Sequence, residues 1–183
     1  MENVKNNNPN PKIKSRINAQ ILAEIAIFVA LSTALSLIPG IGFPQGGSVT
    51  AGTMVPILWL AMRRGPKIGI FTGIIYGLVQ LAIHPQVYYP TQILLDYPLA
   101  FGCIGLAGFF KNHPITGTTI AIIGRFIMHL ISGAIFFGQY APKGMNPLVY
   151  SILYNGSYML PELIISIIII YLLHKTNVLK IYT

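Results

Sequence analysis

Residues 147–174 read PLVYSILYNGSYMLPELIISIIIIYLLH, and this stretch decides the fold class. It is longer than the roughly 20 apolar residues that cross a hydrocarbon core of about 30 Å. Glu162 is the only residue in it with a full charge at neutral pH when histidine is counted as neutral. A run of this length and polarity predicts a transmembrane helix.

Similar apolar runs, separated by Pro, Gly or polar residues, recur along the chain. Residues of the hydrophobic class make up 54% and charged residues only 9%, which excludes a soluble domain, where charged residues approach about 25%. We expect an all-α membrane protein: a compact bundle of six transmembrane helices in 19–174, preceded by a disordered basic tail, 1–18, and followed by a short tail, 175–183. The spans are predicted near 19–38, 51–64, 67–84, 91–110, 115–138 and 147–174.

The second span is too short to cross the membrane upright, so it is expected to start inside the bilayer or to continue from a re-entrant loop, 39–50. In that case the loop, PGIGFPQGGSVT, is a candidate lid. An ordinary loop outside the membrane is the alternative.

Basic residues predict the orientation. The connections 39–50, 85–90 and 139–146 hold only Lys143, and the other ends of the spans hold many Lys and Arg residues, so both termini are expected to be cytoplasmic. The net charge of +8 is then explained by cytoplasmic loops rather than by nucleic-acid binding. The basic residues on the predicted cytoplasmic side are Lys5, Lys12, Lys14, Arg16, Arg63, Arg64, Lys67, Lys111, Lys175 and Lys180.

Three different spans place polar side chains at a similar depth. At 1.5 Å per residue, Asp96 lies about 9 Å, Asn155 about 12 Å and His129 about 14 Å from the outer ends of their spans, whereas Glu162 lies roughly 22 Å in. Polar groups inside a membrane are costly and mark a functional site by default. The alternative is a purely structural pair of Asp96 with His129.

Aromatic residues surround this level. Phe137 and Gly133 share a helix face with His129, which leaves a gap at the glycine for a flat ring. Tyr97 and Tyr150 are close to the same level, so a small-molecule pocket is predicted. Tyr88, Tyr89 and Tyr140 are expected in the interfacial aromatic belt instead.

The predicted site has one carboxylate, Asp96, and no Lys or Arg at its level. A cationic or amine-bearing aromatic ligand fits this arrangement, because aromatic faces attract cations and Asp96 supplies the counter-charge. Glu162 is expected to be a structural hydrogen-bond partner or to be protonated. The single Cys103 excludes an internal disulfide and a cysteine metal cluster, and no metal or cofactor is predicted.

Span one carries a row of small residues at i, i+4 spacing, which lets another helix approach closely. Packing inside the bundle and docking of a partner helix both fit such a row. Its members are Ala26, Ala30 and Ala34.

Several motifs together resemble the thiamine-binding member of the substrate-binding (S) components of energy-coupling factor (ECF) vitamin transporters, over about 22–174. They are PQGGSVT (44–50), PIL (56–58) with RRG (63–65), LDYPLAF (95–101), 129–140, and 150–156. The resemblance implies a six-helix bundle in a prokaryotic cell membrane that binds thiamine from outside with high affinity and is not an enzyme.

Carried onto this chain, the resemblance implies roles for individual residues. Asp96 is the acid that meets the ligand, with Tyr97 beside it, and His129 is the histidine. Gly133 is the close-approach glycine and Phe137 the stacking aromatic. The tyrosine and asparagine of the last helix fall on Tyr150 and Asn155.

The loop 39–50, with Gln45 and Gly47, is the implied lid, and Ala26, Ala30 and Ala34 the implied docking surface for the transmembrane coupling subunit, which works with two ATPases. Family members can have Glu and Trp where this chain has Asp96 and Phe137, and some have a tryptophan in the lid.

Other functions remain open from the residues alone. A thiamine precursor or another vitamin could be the ligand, a stand-alone carrier could use Glu162 as a proton site, and an enzyme could use Asp96 and His129 as acid and base. The chain lacks a Gly-x-x-x-x-Gly-Lys-Ser/Thr motif, so energy from ATP has to come from partners.

Overall fold

The structure is a computed structural model, and it describes residues 19–176. The predicted tail 1–18 and residues 177–183 lie outside the described residues. A two-stranded hairpin, a 3-10 turn (Gly138–Tyr140) and six helices form the described part, and the six helices confirm the predicted all-α membrane bundle. They are α1 (Ala19–Ser36), α2 (Val55–Arg64), α3 (Pro66–Ile83), α4 (Pro90–Phe109), α5 (Pro114–Phe136) and α6 (Pro147–Lys175).

Five of these helices are long and apolar enough to cross a membrane, and α2 is the exception. It begins at Val55, later than the predicted 51, because 51–54 form a turn in which Gly52 has φ 84°. It is also the most deeply packed helix, since Ile57, Leu58 and Leu60 have no exposed surface. The short helix therefore forms the centre of the bundle, and the other five surround it.

The segment between α1 and α2 folds back into the bundle. Its two short strands, β1 (Ile41–Gly42) and β2 (Ser48–Val49), pair antiparallel around the loop Pro44-Gln45-Gly46. Gly46 has φ 93°, as expected for the glycine of a three-residue hairpin loop. Further along, Thr50 donates from its backbone N–H to the carboxylate of Glu162 in the middle of α6. This contact supports the predicted re-entrant loop rather than an ordinary outside loop. We call 39–50 the hairpin, and the end of the bundle where it lies the hairpin end.

Glycines on α3 bring that helix against α4. A Cβ on Gly77 would lie 2.5 Å from the carbonyl oxygen of Tyr97, and a Cβ on Gly73 would overlap the carbonyl oxygen of Phe101. Only glycine permits this approach of backbone to backbone. The row of small residues that packs inside the bundle is thus the glycine row of α3, and Ala26, Ala30 and Ala34 on α1 are exposed.

Helix α4 changes its winding along its length. It is α-helical over Pro90–Leu94, π-helical over Leu95–Leu99, α-helical over Ala100–Gly102 and 3-10 over Cys103–Phe109. Pro98 lies inside the π segment, and its missing N–H removes the bond that a regular α-helix would need there. Asp96 and Tyr97 belong to this segment, and π-helical turns are frequent at functional sites.

At the end opposite the hairpin, α1 and α2 are joined by an ion pair. Arg64 donates from Nε to Glu24 Oε2 at 2.7 Å and from its terminal nitrogen to Oε1 at 2.5 Å. Arg63 lies 3.5 Å from the same carboxylate. Glu24, one of the four acidic residues of the chain, is therefore a structural residue.

Candidate functional site

A cavity of about 490 Å³ lies at the hairpin end. The hairpin and five helices, α1 and α3 to α6, contribute to its walls. All seven ligand-binding residues predicted from the sequence line it: Asp96, Tyr97, His129, Gly133, Phe137, Tyr150 and Asn155.

Asp96 is held by three hydrogen-bond donors. Gln92 Nε2 lies 2.6 Å and Ser132 Oγ 2.9 Å from Asp96 Oδ2, and His129 Nδ1 lies 3.1 Å from Oδ1. Arg125 Nε donates to His129 Nε2 at 3.3 Å, so Nδ1 is the nitrogen that carries the proton toward Asp96. The contact between Asp96 and His129, which the sequence analysis gave as the structural alternative, is therefore present, and it lies inside the cavity.

Gln92 and Ser132 were not predicted as site residues. The sequence spacing could have indicated both residues. Gln92 precedes Asp96 by one helical turn and Ser132 follows His129 by three residues, so each pair shares a helix face. Gln92 is 1% exposed and also donates to the carbonyl oxygen of Gln86 at 3.0 Å. It ties the Asp96 carboxylate to the loop between α3 and α4.

Tyr97 fastens the same loop. Its hydroxyl donates to the carbonyl oxygen of His84 at 2.8 Å and accepts from the backbone N–H of Gln86 at 2.7 Å. Both hydrogen-bonding roles of the hydroxyl are thus used within the protein, and only the ring is left to contact a ligand.

The expected gap beside Gly133 is filled by α6. A Cβ on Gly133 would overlap Ser151 Oγ and would lie 3.0 Å from Asn155 Nδ2. The expectation that a flat ring enters there is wrong, because the glycine's bare side faces a neighbouring helix. Asn155 donates from Nδ2 to the carbonyl oxygen of Ser151 at 2.9 Å and accepts at Oδ1 from Tyr158 at 2.6 Å.

Aromatic rings form two walls. At the end of α5, Phe137 packs edge-on against Tyr88, with ring centroids 5.2 Å apart, and parallel to Tyr140 at 6.2 Å. Along α6, Tyr150 stacks on Tyr154 at 6.0 Å. Tyr88 and Tyr140, predicted for the interfacial belt, therefore also support Phe137.

The predicted charge of the site needs a correction. Arg125 reaches the cavity, although no basic residue was expected at this level, because its long side chain extends beyond the depth of its Cα atom. Its guanidinium lies 4.2 Å from the centroid of the Phe101 ring. Glu162 also lines the cavity. Two carboxyl groups and one guanidinium therefore line the cavity.

The hairpin covers the cavity, and residues on one face of α6 hold it there. Tyr154 accepts a hydrogen bond from the backbone N–H of Gln45 at 2.9 Å, and Gly47 packs so closely on the Tyr158 ring that a Cβ would overlap it. Glu162 accepts from Thr50. These three α6 residues follow one another at i, i+4 and i+8, so a single helix face holds the closed hairpin.

The polar groups that line the cavity suit an organic ligand more than a metal ion. Within residues 19–176, no group of three or more His, Cys, Asp or Glu side chains comes together to hold a metal. The polar atoms of the cavity instead alternate with aromatic rings, as in pockets for small molecules.

Comparison with known proteins identifies the family. The model of the family described as "Thiamine transporter protein" matches residues 22–181. This chain belongs to the thiamine transporter family. The resemblance to the thiamine-binding S components, inferred from sequence motifs, is confirmed.

Related proteins agree with this family membership. The thiamine transporter ThiT of Bacillus subtilis is 39% identical over 174 residues, which cover 85% of this chain and 90% of that protein. The thiamine transporter ThiT of Lacticaseibacillus paracasei is 30% identical over 170 residues, or 82% of this chain and 84% of that protein.

The fold is similar to a solved structure of ThiT from Listeria monocytogenes, with a TM-score of 0.77 and 31% identity over 86% of this chain and 94% of that one. This thiamine transporter family member is accordingly a multi-pass membrane protein, with a ligand cavity at one end of the bundle.

Proposed function

We propose that the chain is the substrate-binding subunit of an ECF-type uptake transporter and that it captures thiamine with high affinity in the cavity at the hairpin end. One observation carries the proposal: a largely buried carboxylate, Asp96, with 15% side-chain exposure, faces an aromatic-walled cavity of a thiamine transporter family member. Thiamine joins a cationic thiazolium ring to an aminopyrimidine, so it matches both the aromatic walls and the Asp96 carboxylate.

The proposed roles follow the contacts of each residue. Asp96 supplies the counter-charge, and the ring of His129 offers a polar edge next to it. Phe137 and Tyr150 offer flat faces for stacking, and Tyr97 contributes its ring, since its hydroxyl is already bonded.

Gly133 and Asn155 act differently from the other site residues. The glycine lets α5 and α6 approach, and the Asn155 amide, bonded to Ser151 and Tyr158, fixes the positions of the groups around it. We propose that both shape the cavity.

Entry of the ligand requires the hairpin to open. Its bonds to Tyr154 and Glu162 close the cavity from the hairpin end, so they have to break and re-form in each binding event. The side chains that face the ligand belong to helices, which keeps the binding geometry while the hairpin moves.

The exposed alanine row on α1 supports a partner surface. Ile25 and Val29 of α1 are buried against the bundle, and Ala26, Ala30 and Ala34 are exposed. A surface of small residues lets a second transmembrane helix pack closely. We propose that the transmembrane coupling subunit docks here and that two ATPases supply the energy, with membrane lipid covering the remaining apolar faces.

The distribution of basic residues supports an orientation with both termini in the cytoplasm. Among the described connections, Arg63, Arg64, Lys67 and Lys111 lie at the end opposite the hairpin, and Lys143 lies at the hairpin end. By the positive-inside rule the cavity then opens outward.

Titration calorimetry with the purified protein tests the function. Thiamine is expected to bind, with competition by a precursor pyrimidine or by riboflavin far weaker, and mass spectrometry of the solubilised protein should detect thiamine as co-purified ligand. Absence of thiamine binding by the folded protein would refute the proposal.

A further inference from the structure

Glu162 is a buried carboxylate with one bonded and one unbonded oxygen. The residue is 2% exposed. Its Oε1 accepts hydrogen bonds from Thr50, from the backbone N–H and from the hydroxyl at 2.6 Å. Its Oε2 is buried and has no hydrogen-bond partner among the described residues.

A carboxylate oxygen without a partner is costly in the interior of a membrane protein. No ion pair of the described residues includes Glu162, because these pairs join Glu24 to Arg63 and Arg64, and Asp96 to His129. Arg125 lies in the same cavity but contacts Met54, Phe101 and His129.

The two carboxylates of the cavity differ in what they can offer a ligand. Asp96 already accepts three hydrogen bonds on its two oxygens, and Glu162 keeps one oxygen free. The Glu162 side chain lines the same cavity as Asp96 but lies about two helical turns deeper, at roughly 22 Å against about 9 Å from the outer ends of their spans. The free acceptor is therefore at the deep end.

We propose that Glu162 is a second ligand-binding carboxylate, whose Oε1 holds Thr50 at the base of the hairpin and whose Oε2 accepts a hydrogen bond from the hydroxyl of bound thiamine. The inference rests on the proposed function, since thiamine is the ligand considered. Thiamine is extended and polar at both ends, so an aminopyrimidine at the level of Asp96 and His129 places the cationic thiazolium between the two carboxylates and directs its hydroxyethyl arm toward Glu162.

The arrangement also joins ligand binding to closure of the hairpin. The same carboxylate would contact the ligand and Thr50, so an occupied cavity fixes the Glu162 side chain in the position that receives the hairpin. Filling the deep end thereby favours the closed state, because the ligand binds that state better.

The test uses two ligands and three proteins. Titration calorimetry measures thiamine and the analogue with an ethyl group in place of hydroxyethyl, against the full wild-type chain, Glu162→Gln and Ser166→Ala. Ser166 is the matched control, because it is buried one turn further along α6, has an unpartnered hydroxyl and is not part of the cavity lining.

Loss of the hydroxyl is expected to weaken binding to the wild type by about tenfold, as for one hydrogen bond to a charged group. Glu162→Gln is expected to bind thiamine about fivefold or more weakly and to lose most of the preference for the hydroxyl, because a neutral amide forms a weaker bond than a carboxylate. Ser166→Ala should behave as the wild type with both ligands.

Three results would overturn the inference: equal wild-type affinity for both ligands, an unchanged preference in Glu162→Gln, or the same losses in Ser166→Ala. If Glu162→Gln fails to fold, Glu162→Asp replaces it, because the carboxylate drawn back by one methylene should likewise lose the preference for the hydroxyl. If the folded wild type binds neither ligand, the proposed function fails instead, so the two failures are distinguishable.

Discussion

Replacing Asp96 by Asn tests the centre of the proposed site. The substitution keeps the size of the side chain and removes its charge. It also exchanges one acceptor oxygen for an N–H donor, at a position where both oxygens of Asp96 face donors: Gln92 and Ser132 on one, His129 on the other. In either orientation the new amide meets an N–H of Gln92 or His129.

The expected loss of affinity can be estimated from these contacts. An interaction between a charged group and its partner contributes about 1.5–3 kcal/mol, so removal of the counter-charge should raise the dissociation constant of thiamine by about tenfold to a hundredfold. The two facing N–H donors should also lower the free energy of unfolding of the ligand-free protein by about 1 kcal/mol or more. Calorimetry reports the first effect and thermal unfolding in detergent the second.

Asp96→Glu is the matched variant, since it retains the charge. It should keep most of the affinity that Asp96→Asn loses. If folded Asp96→Asn binds thiamine as tightly as the wild type, or if both variants lose the same affinity, the counter-charge role of Asp96 is refuted.

Three further substitutions probe the hairpin, the docking face and the ion pair. Tyr154→Phe removes the acceptor for the Gln45 N–H and should speed thiamine dissociation about fivefold, as for one hydrogen bond, in a washout experiment; an unchanged rate would show that this bond does not hold the hairpin. Ala30→Trp should leave thiamine affinity unchanged but abolish co-purification with the coupling subunit, and persistent assembly would exclude this face. Glu24→Gln should lower stability by up to about 1 kcal/mol, seen as a lower melting temperature, because it weakens the two-bond pair with Arg64; no change would mean that solvent screens the pair fully.

The bundle itself could be predicted from the sequence. Apolar length specifies membrane helices because the bilayer allows few alternatives to a helix, and five helices of the structure match predicted spans closely. The depth estimate placed Asp96, His129 and Asn155 at one level, and the structure has all three in one cavity. Their roles toward the ligand stay predictions.

The errors have two causes: depth was counted along each helix from Cα positions, and contacts between different segments leave no trace in the pattern of one helix. Arg125 was missed as a cavity residue since its side chain reaches several ångströms beyond its Cα. The Glu162 contact with Thr50 joins residues 112 positions apart, and periodicity within one helix carries no information on such a pair. The gap at Gly133 was wrongly assigned to a ring because only the partner helix could show that Ser151 fills it.

The π-helical segment of α4 has a consequence for sequence change in this protein. A π turn holds one residue more than an α turn but completes about the same rotation, so deletion of Pro98 would restore regular α winding and would also remove the residue that lacks an N–H. In a regular helix a one-residue deletion rotates the residues before it by about 100° relative to those after it. Here the π turn has already absorbed that rotation, so Gln92 would keep its direction relative to the rest of α4. The change would be confined to the turn itself, where Asp96 and Tyr97 would shift while the helix on either side stays in register.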